Sequence, residues 1–252
     1  MSGATYRYAL AALVHVLFVL IWFLFVKFGQ VPSFILPSPL ATIATLGDVD
    51  YHWLSNTLVT ASEVFGGYFL GVAVGVAIAI AFSWSRTAET ATMPLLVTLN
   101  MVPKVALGPL FIVWLSYGII PNMVIAFSIC FFPIVLNTTR GFREVEPDLI
   151  DLVRSLRASK WQTFAKIQLP SALPYIFSGM KVGAILAVAG AVVGEFLGSS
   201  RGLGYLMLQV QATLDTAAMV MAVVLITVIG VALYGLIMGL ERLTVVRDAR
   251  IR

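Results

Sequence analysis

Residues Thr138–Ala172 read TTRGFREVEPDLIDLVRSLRASKWQTFAKIQLPSA, and this is the only long polar segment lying between two apolar runs of membrane length. Six of the sixteen basic residues fall in it (Arg140, Arg143, Arg154, Arg157, Lys160 and Lys166), with four of the twelve acids (Glu144, Glu146, Asp148 and Asp151). The segment has internal order. Pro147 suits the first turn of a helix, where its missing N–H costs nothing, and Asp148 and Asp151 favour the positive end of the helix dipole. Leu149, Leu152, Val153 and Leu156 recur on one face of that helix. Ser159 with Gln162 three residues later forms a capping-box pattern and starts a second helix with Trp161, Phe164 and Ile167 as its apolar face. Pro170 and then Pro174 are expected to stop or redirect the chain. The prediction is a knob of two short helices joined near Arg157 and Ala158. On periodicity it is equally a docking device or an amphipathic hairpin lying on a membrane.

Outward from this loop the chain is lipid-like. Of its 252 residues, 60% are hydrophobic and 11% charged, with a mean hydropathy of +0.98. A soluble domain carries about 25% charged residues. About six spans of roughly 20 residues fit, near Tyr8–Val26, Leu58–Phe82, Met93–Leu115, Met123–Asn137, Leu173–Glu195 and Met219–Leu240, the fourth being short. The expected class is an all-α membrane protein with a single transmembrane domain over residues 1–252 and the loop at 138–172.

Basic residues agree with an even count. With both termini on the loop side, that side holds Arg7, Arg86, the six loop residues, Arg242, Arg247, Arg250 and Arg252. The other side holds only Lys27 and Arg201, while Lys104 and Lys181 fall inside spans. Basic residues near span ends stay in the cytoplasm, so the loop and both termini are expected there. The net charge of +4 then reports topology and gives no indication of a nucleic-acid partner. Cys130 is the lone cysteine and allows no disulfide within the chain.

Small residues recur in four-residue steps at Gly67, Gly71 and Gly75, and at Gly179, Gly183, Ala187 and Ala191. In lipid such a stripe lets helices approach closely, either for simple packing or for a subunit interface or gate. Pro94, Pro103 and Pro109 punctuate the third span, and the last two, inside it, predict a kinked or broken helix. Ser38–Pro39 suits the start of a short helix on the outer surface. Intramembrane charges are costly and therefore functional candidates. Glu63 is expected near the outer start of the second span and Lys104 to be the most embedded. Lys181 is placed near the cytoplasmic end of the fifth span, and Glu195 continues its small-residue series. Helix pairing and contact with a transported solute both remain open for these four.

DLVRSLRASKWQTFAKIQLP, Asp151–Pro170, resembles the cytoplasmic signature loop of ABC-importer permeases, which carries an acid, two alanines, a glycine and a later I-x-L-P. Asp151 stands at the acid, Leu152 and Val153 at the alanines, Arg157 at the glycine, and Ile167–Pro170 matches I-x-L-P. LPSP (Leu36–Pro39), MVPKVALGPLFIVWLSYG (Met101–Gly118), FFPIVLNTTRGF (Phe131–Phe142) and VVGEFLGSSRGLGYL (Val192–Leu206) resemble the same family. They are most similar to its nitrate, sulfonate, taurine and thiamine-precursor branch. The resemblance implies a type I importer permease of the bacterial inner membrane with a coupling helix, two permease chains, separate ABC ATP-binding subunits and an extracytoplasmic substrate-binding protein. It implies ATPase docking by Asp151, Leu152, Val153, Leu156, Arg157, Trp161, Ile167, Leu169 and Pro170. Arg157 in place of the glycine puts the left-handed turn in question. The chain carries no G-x-x-x-x-G-K-[ST] phosphate loop and no H-E-x-x-H, so no catalytic, cofactor or metal residues are expected. An ion-coupled secondary transporter, working without an ATPase, is the rival reading.

Overall fold

The computed structural model describes residues 3–245, apart from the side chains of residues 3–5, 7 and 8; Arg7's side chain and the tail arginines Arg247, Arg250 and Arg252 lie outside the described residues. The helices are α1 (Gly3–Phe28), α2 (Pro39–Ala44), α3 (Trp53–Trp84), α4 (Arg86–Met101), α5 (Lys104–Leu115), α6 (Ile119–Arg143), α7 (Pro147–Ser155), α8 (Lys160–Thr163), α9 (Leu169–Gly198), α10 (Leu203–Ala212) and α11 (Thr216–Thr244). The described residues contain no strand.

α6 is the central helix, clasped by α3 and α9. The small-residue stripes explain how. A β-carbon at Gly67 would sit 2.6 Å from Ala126 Cβ, and one at Gly190 would sit 2.7 Å from Ala126 Cα. The absence of side chains therefore lets two helices close on α6 at the same residue, where dispersion replaces the missing hydrophobic drive. Gly71 faces Cys130 and Gly75 faces Ile134 on one side. Gly179 faces Asn137 and Gly183 faces Ile134 on the other, and Ala187 and Ala191 are wholly buried. The stripes serve packing.

These contacts also set the topology. Along α3 and α6 the paired numbers rise together, so the two helices run parallel; along α6 and α9 they run in opposition. Parallel α3 and α6 require residues 85–118 to carry the chain back across. α4 starts beside the end of α6, where Glu89 pairs with Arg143, and α5 ends beside the end of α9, where Ile112 meets Gly198. The pair is bent by 91° at the Val102–Pro103 break and acts as one broken crossing. Pro103 takes the cap position of α5, while Pro94 and Pro109 are absorbed inside α4 and α5. With five further helices long and apolar enough to span, the described residues supply six crossings when the bent pair is taken as one, as expected.

The fourth span is not short. α6 runs 25 residues, because its polar end, Asn137 to Arg143, stays helical. Nor do Pro170 and Pro174 stop the chain. α8 passes through a π-helical turn, Phe164–Gln168, straight into α9, making one 39-residue helical stretch from Lys160 to Gly198. The Leu169 N–H reaches back to Phe164 O, and this widened turn accommodates the ring of Pro170.

At the end opposite the α7–α8 turn, Trp22 Nε1 donates to Pro37 O at 3.0 Å and Ser38 caps α2. Tyr51 Oη donates to Asp215, which also caps α11. None of the described side chains of α1 is buried, and the helix lies at the periphery. Leucine at Gly67 or at Gly190 is expected to lower the stability of the purified protein by about 1–3 kcal/mol through overpacking. Gly235→Leu, at a position with nothing within 4 Å, is the control and should leave the thermal melting midpoint unchanged.

Candidate functional site

The α7–α8 turn is held by local hydrogen bonds. Pro147 takes the first turn of α7 and Arg154 its last, complementing the dipole. α7 then ends in a full Schellman motif: Ala158 N–H donates to Val153 O at 3.0 Å and Arg157 N–H to Arg154 O at 2.9 Å. Arg157 carries φ +57, so the left-handed turn is present although no glycine supplies it. The capping box forms as the sequence predicts, with Gln162 N–H donating to Ser159 Oγ at 3.2 Å and Ser159 N–H to Gln162 Oε1 at 2.8 Å.

An aromatic cluster seats the turn on the bundle. Phe164 is buried with ring centroids 5.7 Å from Phe142 and 5.9 Å from Trp84, and Trp161 lies edge-on to Trp84 at 6.5 Å. Leu169 packs inward on the same cluster with Phe142 and Ile176, while Ile167 is half-buried and Pro170 exposed. α7 itself buries no residue. Leu152, Leu156 and Trp161 remain 56%, 72% and 64% exposed, a concentration of large apolar side chains on an ordered, charged turn. Val153 is half-buried and, with Leu156, lines a cavity of about 390 Å³ between the two helices. Among the described residues Asp151 meets only Arg154, at 3.2 Å, and both are well exposed, so the pair contributes little to stability.

The four intramembrane charges separate into two kinds. Lys181 pairs with Glu241 across α9 and α11 at 2.6 Å, both partly buried, which is the helix-pairing outcome. Lys104 is not the most embedded charge. It sits at the α4–α5 break, half-exposed, where Nζ donates to the Asn100 main-chain oxygen and, at 2.8 Å, to Asn100 Oδ1, closing the C-terminal end of α4. Glu63 is not at the start of its span, because α3 begins ten residues earlier at Trp53. Glu63 and Glu195 are both fully buried and share one polar cluster: Thr60, one turn before Glu63 on α3, donates to Glu195, and Asn122, which donates to Glu63, packs against Gly194 beside Glu195.

Several contributors were not singled out from sequence. Asn122 donates to Glu63 Oε1 at 2.8 Å, and Thr60 donates to Glu195 Oε1 at 2.5 Å. Their signal was available: both are polar residues inside apolar runs. Trp84 and the Glu89–Arg143 pair join helices distant in sequence and had no local signal. The described residues hold no cluster of three His, Cys, Asp or Glu placed for a metal ion.

Residues 67–245 match the family described as binding-protein-dependent transport system inner membrane component. The chain belongs to this family. It is 33% identical over 231 residues to the riboflavin transport system permease protein RibX of Chloroflexus aurantiacus, covering 91% of this chain and 86% of that one. It is 28% identical over 211 residues to the formylaminopyrimidine transport permease protein ThiX of Halalkalibacterium halodurans, covering 83% and 84%. Its fold is similar to a chain of the inward-facing MetNI methionine ABC transporter, with TM-score 0.60 and 19% identity over 73% of this chain and 94% of that one. The permease is thus a membrane component of a binding-protein-dependent importer with the type I fold, and family membership decides against the ion-coupled secondary transporter.

The left-handed Arg157 is a local strain that glycine would relieve. Arg157→Gly is expected to slow amide exchange at Ala158, and Arg157→Val to speed it, each by the equivalent of about 1 kcal/mol. Hydrogen exchange on the purified permease reads this directly, since the Ala158 bond to Val153 closes the motif.

Proposed function

We propose that the chain is one permease domain over residues 1–252 and that ATP is hydrolysed on a separate subunit, into whose groove the α7–α8 turn docks. The single observation that carries this reading is the exposed apolar face of Leu152, Leu156 and Trp161 on a turn fixed by a Schellman motif and a capping box. A side chain of this kind gains about 1.5–3 kcal/mol on full burial, enough to anchor a rigid docking element. Asp151 reaches a basic residue of that subunit, and Val153, Arg157, Ile167 and Pro170 border the contact. Leu169 acts from beneath, because it packs toward Phe142 and Ile176.

Motion follows from continuity. α8 enters α9 without a break, so displacement of the docked turn acts directly on a span about 1.5 Å long per residue over 39 residues. Lys181–Glu241 passes it to α11, and close packing on α6 passes it to α3. Rocking of these spans alternates access to a pathway completed by a second permease chain. An exposed apolar flank at Val113, Trp114 and Tyr117 on the broken crossing fits such a neighbour. The excess of arginine and lysine on the turn side supports the reading that this side and both termini face the cytoplasm of a bacterial cell. A substrate-binding protein then delivers solute to the other side.

The solute is proposed to be a small heteroaromatic compound of the thiamine-precursor or riboflavin kind, with a sulfonate, nitrate or taurine-like anion as the second reading. Asp151→Arg is expected to leave the permease folded while abolishing ATP-dependent uptake in the reconstituted complex, or recovery of the ATP-binding subunit with it. Normal uptake together with normal recovery would sink the docking assignment. For the solute, calorimetric titration of the cognate binding protein with formylaminopyrimidine, riboflavin and an alkanesulfonate should give saturable binding to one of the first two. Binding of the sulfonate alone would reverse that choice.

A further inference from the structure

The buried carboxyl groups of Glu63 on α3 and Glu195 on α9 are not used by the docking turn. They lie in one buried cluster joined through Thr60 and Asn122, 0% and 1% exposed, and neither forms an ion pair with a cation among the described residues. Two adjacent carboxylates without a counter-charge cannot both remain ionised there.

Their hydrogen-bond partners divide unequally. Glu195 accepts from three donors: Thr60 Oγ1 at 2.5 Å, Gly204 N–H, and Tyr205 N–H at 3.3 Å. Glu63 accepts only from Asn122 Nδ2, and its buried Oε2 has no donor at all. A carboxylate belongs where the donors are, and a neutral acid belongs where they are missing. A proton on Glu63 Oε2 turns that unpartnered acceptor into a donor.

The anion in turn holds the start of α10. Its first-turn N–H groups have no partners within the helix. Glu195 takes those of Gly204 and Tyr205, Thr60 Oγ1 takes that of Leu203 at 2.8 Å, and Asn56 Oδ1 takes that of Gly202 at 2.9 Å. The positive end of the α10 dipole therefore faces Glu195, and side chains of α3 and α9 occupy all four N–H groups from Gly202 to Tyr205.

We propose that Glu63 and Glu195 form a one-proton carboxyl clamp, with Glu63 the neutral donor and Glu195 the anion, that positions the first turn of α10 on α3 and α9. The assignment makes α10 a rider on these two spans, so it moves with them when the permease changes state. That role in transport rests on the importer reading above; the protonation assignment does not.

The test uses the full-length permease in lipid nanodiscs and needs neither solute nor ATPase. Infrared absorption should show the C=O stretch of a neutral carboxylic acid, and Glu63→Gln should remove it. A glutamine amide is still a donor, so Glu63→Gln should keep the amides of residues 202–205 as slow to exchange as in the parent. Glu63→Ala, which cannot donate, should speed them about tenfold or more. Glu195→Gln should speed them as well, because the amide offers one acceptor atom where three donors arrive. A parent spectrum without the neutral-acid band, or equal acceleration in Glu63→Gln and Glu63→Ala, overturns the clamp. If Glu195→Gln fails to fold, the Glu63 pair of variants still decides it.

Discussion

Everything in this permease depends on how closely α3 and α9 approach α6. Without a side chain at Gly67 or Gly190, both backbones close on Ala126. Lipid offers no hydrophobic drive between helices, so contact density supplies the cohesion. The same contacts fix that α3 runs parallel to α6 and α9 antiparallel. From that follows the return crossing by α4 and α5, and from the return crossing follow six passes and a shared side for the α7–α8 turn and the end of α11. A local steric fact therefore decides the topology.

Features written in short-range chemistry were legible in the sequence. The glycine steps at 67, 71 and 75 became a helix interface, Ser159 and Gln162 became a capping box, and Ser38–Pro39 became the start of α2. The Pro103 break was foreseeable because proline removes a bond that the helix needs. Pro170 was read by the same rule and gave the wrong outcome, since a π-helical turn accommodated it without ending the helix. Propensity states what a residue costs; the neighbouring geometry decides whether the chain stops.

Features that depend on distant contacts were not legible. Glu63 and Glu195 lie on α3 and α9, and nothing local to either says that they share one buried cluster. Lys104 looked deepest because it falls mid-way along an apolar run, yet the bend turns that position into the open end of α4. Arg157 is the intermediate case. The sequence located the turn but substituted the residue that makes it easy, and the Schellman hydrogen bonds from Arg157 and Ala158 hold the left-handed conformation regardless. Two backbone bonds in one motif are comparable to the cost of a left-handed residue of about 1–2 kcal/mol, so the motif survives without glycine.

Rigidity at both ends of one helical stretch gives the fold its mechanical sense. At Lys160 the stretch is seated by the capping box and by Phe164 among Phe142 and Trp84. At its far end Glu195 holds the N–H groups that open α10. Had Pro170 ended the helix, force at the turn would bend a hinge before moving a span. The π-helical turn avoids this by keeping the backbone hydrogen-bonded through Leu169 to Phe164. The stretch thus acts as a strut that joins the α7–α8 turn at one end to the start of α10 at the other. Pro170, expected to separate loop from span, is therefore accommodated within one continuous helix.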